Sequence, residues 1–379
     1  MRKGTFVRWG VPIAAAAVIG AAIGAGPVVA AVSGDPALPE RSAQQLLADA
    51  VTAVERTGGP LPMSGTVRQT ASLGLPALPQ MGGESPLALL SGSHEVKVWY
   101  GAQDKLRVAM PTHMNETNLI VNGDEAWYWD SDGNTATRVK VKTGGWTHES
   151  ATRMPTPSDL TPQAAAAKVL AEADEHTAIG VTNTAAVAGR PAYQLVLRPK
   201  AETSLVQEVR LALDGETYVP LRVQVYAKGS AEPAFEVGFT QVTFTPPAEE
   251  NFTFTPPAGA KVQERSLGEE VAGKAGEHTG EHTGDAKDLK VVGEGWGAVA
   301  EVPMPDLGSP AEASGGQGDA AEAGALLDGV LKSATPVSGT WGSGKLITTK
   351  LVTVLLTDDG RLLAGAVTPE EIVRVAGTK

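Results

Sequence analysis

The chain has 379 residues, with 31 Lys and Arg against 43 Asp and Glu, a net charge of −12 at pH 7, and no cysteine. That balance excludes the basic stripe of a nucleic-acid binder, and without a thiol there is no disulfide, thiol nucleophile or cysteine-linked lipid anchor. With 26 Pro and 44 Gly, the length suits one large domain, linkers and a smaller second unit.

Arg2, Lys3 and Arg8 precede an uncharged run from Trp9 to Val32, an order that directs a segment to the export machinery and leaves the remainder extracytoplasmic. Residues 1–33 therefore read as a signal peptide or an N-terminal membrane anchor. The run is close to the ~20 residues that a span needs, while Ala30, Ala31 and Ser33 are small enough for a signal peptidase.

From Leu38 the period becomes 3.6. Ala43, Leu46, Leu47, Ala50, Val51 and Val54 fall on one stripe of a helix that Gly58-Gly59-Pro60 ends. Met63 to Ala71 reads as the first strand. Leu73 to Ser93 is an apolar insertion broken by Pro76, Pro79 and Pro86, which proline keeps from forming a regular element. It is either a loop packed over one end of the sheet or a flap carried by Leu73, Leu75, Leu78 and Met81.

The stretch Trp99 to Val139 has period 2, with turns at Gly101 to Asp104, Asn122-Gly123 and Asp132-Gly133, so an antiparallel meander is expected. Thr161 and Pro162 are start signals for a second helix, Gln163 to His176. Strands resume around Tyr193 to Leu197, Val209 to Leu213 and Leu221 to Val225, and Asn251 to Val262 is expected to supply a closing strand. Two helices over ten or eleven strands in meander order make a mainly β, α+β fold: an incomplete antiparallel β-barrel covered by helices.

Residues 266–287, with the repeat GEHTGEHTG, read as a flexible linker. Residues 288–379 read as a small C-terminal α+β module. It has an internal linker at 304–324, a short helix in ALLDGVLKS, and a hairpin turned by Asp359-Gly360. No catalytic constellation is present. His278 and His282 lie among glycines in the wrong order for a helical zinc motif. Gly339 to Lys345 has phosphate-loop spacing, but Leu346 stands where a magnesium-holding hydroxyl is required.

In order, the first helix, SGT at Ser64–Thr66, LIVNGDEAWYWDSDGNTAT from Leu119, AYQLVL from Ala192, PLRVQVY from Pro220 and NFTFTPPAGAKV from Asn251 resemble the LolA-like superfamily. That superfamily includes the lipoprotein carriers LolA and LolB and the N-terminal domain of the sigma-factor regulator RseB, also called MucB. The resemblance covers residues 38–265 and implies a half-barrel over an apolar hollow for acyl chains, with no enzymatic activity and no cofactor. Its implied partner is a lipid or acylated protein; the RseB-like alternative is a membrane-embedded regulator such as an anti-sigma factor. The C-terminal module is an addition that the simple carriers lack.

The candidate cavity wall is the series Val96, Val98, Leu106, Val108, Met110, Trp127, Trp129, Leu195, Leu197, Leu211, Leu213, Leu221, Val223 and Val225. An ordinary packed core would present the same residues. Trp127 and Trp129 are favoured as pocket lining because neighbouring large rings can line one. No metal site is expected. Three readings follow: an envelope protein that binds lipid, a regulatory module that binds a membrane protein, and a packed scaffold without ligand.

Overall fold

The computed structural model describes residues 38–46, 49–50, 52, 61–74, 91–102, 104–111, 114–140, 176–266, 289–303 and 333–378. The leader at 1–33, Leu75, Leu78 and Met81 of the insertion, the helix expected at 163–176 up to residue 175, and the histidines of the linker lie outside them; His176 itself stands in a turn before the seventh strand. No helix among the described residues is long and apolar enough to cross a membrane.

Among the described residues, twelve strands form the larger sheet. The first six are β1 (Met63–Ser72), β2 (Ser91–Ala102), β3 (Lys105–Pro111), β4 (Glu116–Asn122), β5 (Glu125–Asp130) and β6 (Thr135–Lys140). The rest are β7 (Thr177–Val187), β8 (Arg190–Pro199), β9 (Val206–Asp214), β10 (Pro220–Ala227), β11 (Pro233–Thr243) and β12 (Lys261–Ser266). The expectation of a single meander is corrected. The order β12-β6-β5-β4-β3-β2-β1-β11-β10-β9-β8-β7 consists of two meanders that meet where β1 pairs antiparallel with β11. β12 adds in parallel beside β6, and β7 is the opposite edge, so the sheet is open.

Two further expectations fail for local reasons. β7 falls where only a helix end was expected. Its sequence TAIGVTNTAAV is poor in large apolar residues and its register slips between Thr182 and Ala185, which an edge strand with one neighbour tolerates. Asn251 to Pro257 is not a strand. Glu249–Phe252 forms a 3-10 turn, and the prolines that follow leave the chain without a ladder partner until Lys261.

The two halves of the sheet pack differently. β7 and β11 approach within 8 Å between Cα atoms although three strands separate them, whereas flat pleating would hold them roughly 19 Å apart. This half therefore curls, and its inner side is filled. Leu195, Leu197, Leu211, Leu213, Leu221, Val223 and Val225 join Phe235, Val237 and Phe239 in one core. Helical residues at 43–46 and 49–50 close that core with Leu46, which is fully buried. Ser42 begins this segment with a reciprocal cap: Gln45 N–H donates to Ser42 Oγ (3.2 Å) and Ser42 N–H to Gln45 Oε1 (3.0 Å).

The C-terminal sheet contains β13 (Lys290–Val292), β14 (Val299–Pro303), β15 (Thr335–Gly339), β16 (Gly342–Thr348), β17 (Thr353–Thr357) and β18 (Arg361–Gly365), in the order β13-β14-β18-β17-β16-β15. Helix α1 (Pro369–Ala376) packs Ile372 and Val375 onto Val299, Leu355 and Leu363. The Gly339 to Lys345 stretch is the β15–β16 hairpin, with Gly339 opposite Gly342.

This module is joined to the large sheet by its backbone. Leu205 N–H donates to the Ala366 carbonyl (2.8 Å), Thr368 N–H to Thr203 (2.8 Å), and Lys350 N–H to Leu73 (2.7 Å). Leu351 and Ala366 complete the core of the large sheet, and Trp296 Nε1 donates to Thr177 Oγ1 (2.9 Å).

Candidate functional site

The register decides which residues share a face. One row across the less buried half runs Val98, Val108, Leu119, Tyr128 and Thr137; the next runs Tyr100, Leu106, Val121, Ala126 and Val139. Both rows continue the inner side, because Val98 stands opposite Gly65 and Val96 opposite Val67 of the core. Burial falls away from β1. Val96, Tyr100 and Leu106 are buried; Val98, Val108, Met110 and Leu119 are half-buried; Tyr128 is 44% exposed. Beside a filled core the inner side thus becomes an apolar shelf with partial access to solvent. Burial, together with the carboxylate of Asp104, pushes the Tyr100 hydroxyl above its usual pKa.

Trp127 and Trp129 are not part of that shelf, and their assignment to the same wall as Val96, Val98, Leu106, Val108 and Met110 is corrected. They stand opposite Ile120 and Asn118, on the other side of the sheet, because a strand points successive side chains to opposite faces. There the segment after β11 crosses the sheet as a strap. Phe254 packs at 5.4 Å from Trp127 and 6.0 Å from Trp129 between ring centroids, and Phe252 is buried. Lys105 Nζ pairs with Glu249 at 2.6 Å. Arg107 donates to Asn118 Oδ1 through Nε (3.1 Å) and Nη2 (3.0 Å) while its guanidinium lies over Trp99. The strap thus lies over the outer side of β3–β5, where Asn118, Ile120 and Trp129 are buried.

The other wall candidates divide by burial. Leu195, Leu197, Leu211, Leu213, Leu221, Val223 and Val225 are at most 6% exposed and belong to the filled core, so they border no open surface. Leu73, expected in a flap, is half-buried against the core, with its carbonyl held by Lys350. Leu119 and Tyr128 belong to the shelf and were missed. The usable signal was the turn chemistry of Asn122 to Asp124: with Gly123 and Asp124 as the two loop residues, Asn122 pairs with Glu125 and hence Leu119 with Tyr128.

Among the described residues, charges on the inner side of this half lie toward the far edge, where Asp130 faces Thr117 and Thr135 and β12 sets Lys261 beside Thr135 and Arg265 beside Val139. Among the described residues no group of three or more His, Asp or Glu is placed to hold a metal ion. The described residues of the shelf offer an apolar surface and the phenol of Tyr128.

The chain matches no family model and no curated protein sequence. Among solved structures it is similar to the MucA/MucB complex of Pseudomonas aeruginosa, with 15% identity over 87% of this chain and 95% of that one, at a TM-score of 0.40. It is also similar to an uncharacterized conserved protein of Thermus thermophilus (13% identity, 59% of this chain, 100% of that one, TM-score 0.31). A LolA superfamily protein of Nitrosomonas europaea is 12% identical over 57% of this chain and 99% of that one, with a TM-score of 0.22. These likenesses concern the outline of the fold and carry nothing about ligand or partner.

Proposed function

We propose that this is an extracytoplasmic binding protein that holds an acyl chain of a lipid or acylated protein on the inner face of β2–β5. The observation that supports the reading is the asymmetry of the sheet there: a strap covers the outer side of β4 and β5, where Asn118, Ile120 and Trp129 are buried, while Val98, Val108, Met110 and Leu119 on the inner side stay half-buried next to a filled core. Each methylene taken from water onto that shelf contributes about 0.8 kcal/mol, so a chain of eight methylenes gains roughly 6 kcal/mol before ordering costs. No polar chemistry is required.

The test is mass analysis of what copurifies with the full chain exported by a bacterial host, repeated for Leu119→Asp. A stoichiometric acyl compound is expected from the native chain. A carboxylate on the shelf should weaken its retention at least tenfold, about 1.4 kcal/mol. Because Leu119 is only half-buried, stability should change by less than about 1 kcal/mol. A native chain that emerges free of ligand and also refuses added fatty acids and lipopeptides would overturn the proposal.

A second reading, a regulatory module that binds a membrane protein, is favoured by the joint. β1 lies beside the shelf strand β2, and its end at Ser72 and Leu73 is bonded to Lys350 of the C-terminal module. Under that reading, added acyl ligand changes the hydrogen exchange of the Lys350 amide. Exchange that is indifferent to bound ligand counts against it.

A further inference from the structure

The shelf changes character along its rows. The row through Val108, Leu119 and Tyr128 continues to Thr137 and, on β12, to Gln263; the row from Met110 passes Thr117, Asp130 and Thr135 to Lys261. Both rows are apolar at β3 and polar at β12, and exposure rises in the same direction: Met110 and Leu119 are half-buried, whereas Gln263 and Lys261 are exposed. From β3 to β12 a row crosses four strand spacings, about 19 Å. Half the hydrocarbon core of a bilayer is about 15 Å, so one acyl chain lying across the strands reaches from β3 to the β12 rim.

The rim is basic on this side. In the parallel register of β12 on β6, Lys261 and Gln263 stand beside Thr135 and Thr137 of the inner phase, and the position of Arg265 is beside Val139 of that phase. Val262 and Glu264 take the outer phase, where charge is neutralised within the chain: Arg138 pairs with Glu125 and, at 3.4 Å, with Glu264. On the inner side the carboxylate of Asp130 is held by its own turn, accepting from Asp132 N–H (2.9 Å) and Gly133 N–H (3.0 Å), and Thr135 stands between it and Lys261. The start of β12 is fixed, because Lys261 N–H donates to the Asn134 carbonyl (2.9 Å) and Asn134 Nδ2 to the Gly259 carbonyl (3.0 Å). A chain of net charge −12 thus presents an exposed ammonium at the end of its apolar rows.

We propose that the ligand of the shelf is an anionic lipid, its acyl chain laid across the strands with the tail toward β2 and β3 and the charged head at Lys261 and Gln263. This rests on the shelf being an acyl-binding surface and adds the direction of the chain and the charge of its head. The ammonium of Lys261 is a point charge that attracts phosphate or carboxylate without requiring one fixed geometry, and the Gln263 amide and Thr137 hydroxyl add hydrogen bonds beside it.

Calorimetric titration of the full chain with decyl phosphate, decyl glucoside and inorganic phosphate tests the assignment. The two decyl compounds bring the same apolar chain and differ in the charge of the head. Decyl phosphate is expected to bind roughly threefold to fivefold more tightly than decyl glucoside, the size of one exposed ion pair, and the preference should fade in 1 M salt, where screening acts within about 3 Å. Lys261→Glu should abolish the preference and Lys261→Arg keep it, and because the side chain is exposed neither change should disturb folding. Equal affinity for the two compounds, indifferent to Lys261→Glu, would overturn the anionic head and leave the acyl shelf standing. Failure of both to bind would overturn the shelf and this inference with it. Inorganic phosphate that binds as tightly as decyl phosphate would make the rim a site for a free anion and overturn the lipid assignment.

Discussion

Trp129→Ala should destabilise the protein by about 3–5 kcal/mol while leaving acyl-chain retention per folded molecule unchanged. Trp129 is 6% exposed on the outer side of β5, where it contacts Phe254 of the strap. Truncation opens a cavity between strap and sheet, and the strap has no ladder of its own there to close it. Its remaining ties are single contacts such as Lys105 to Glu249 and Arg107 to the Asn251 carbonyl. Leu119→Asp, on the opposite side of the same strands, is expected to show the reverse pattern: little loss of stability and loss of ligand. Urea denaturation monitored by tryptophan fluorescence, combined with mass analysis of bound lipid, separates the two. Loss of ligand by both variants at equal folded fraction would mean that the two sides of the sheet are not independent.

Arg190→Met should cost about 3 kcal/mol at pH 7, because it strands a buried charge. Asp214 is fully buried at the β9–β10 turn. It accepts hydrogen bonds from Arg190, from Thr217 N (2.9 Å) and Thr217 Oγ1 (2.9 Å), and from Glu216 N (3.2 Å). Burial alone would raise the pKa of this carboxyl, but the Arg190 guanidinium and the Thr217 donors outweigh it and hold it below the usual value. A depressed native pKa contributes stability that is present above the unfolded value of about 3.9 and is lost as pH falls through the native one. In the variant, burial is no longer opposed by the guanidinium, so Asp214 takes up its proton at higher pH. The deficit relative to the native chain should therefore shrink between pH 7 and about pH 3. The arginine is 28% exposed and also faces the outlying Glu216, so the loss is placed at the lower end of the range for a broken buried pair. Urea midpoints taken across that pH interval provide the measurement, and a deficit that grows toward acid would contradict the role given to Asp214.

The period-2 runs of β2–β6 and β8–β10 could be read in advance, because alternation of apolar and polar side chains is a local property of a strand with two different faces. The helical stripe that includes Ala43, Leu46 and Ala50 and the Asp359-Gly360 hairpin were legible because they too are local patterns. The pairing of β1 with β11 was not. It joins residues more than 160 positions apart, and no local pattern distinguishes that neighbour from any other apolar strand. β7 was illegible because an edge strand needs little hydrophobic pattern.

The candidate site shows the same division. In AWYWD every one of Trp127, Tyr128 and Trp129 is aromatic, so both phases of the alternation look apolar. The hairpin turn sets Leu119 opposite Tyr128, yet which pair faces the core depends on how β4 lies against β3. Composition, period and turn residues act over a few positions, and they were enough to define a mainly β, largely antiparallel chain. Which apolar residues are filled core, which are strap contacts and which remain half-open emerged with the packed fold, because burial is a property of what lies against a face, and those partners come from distant parts of the chain.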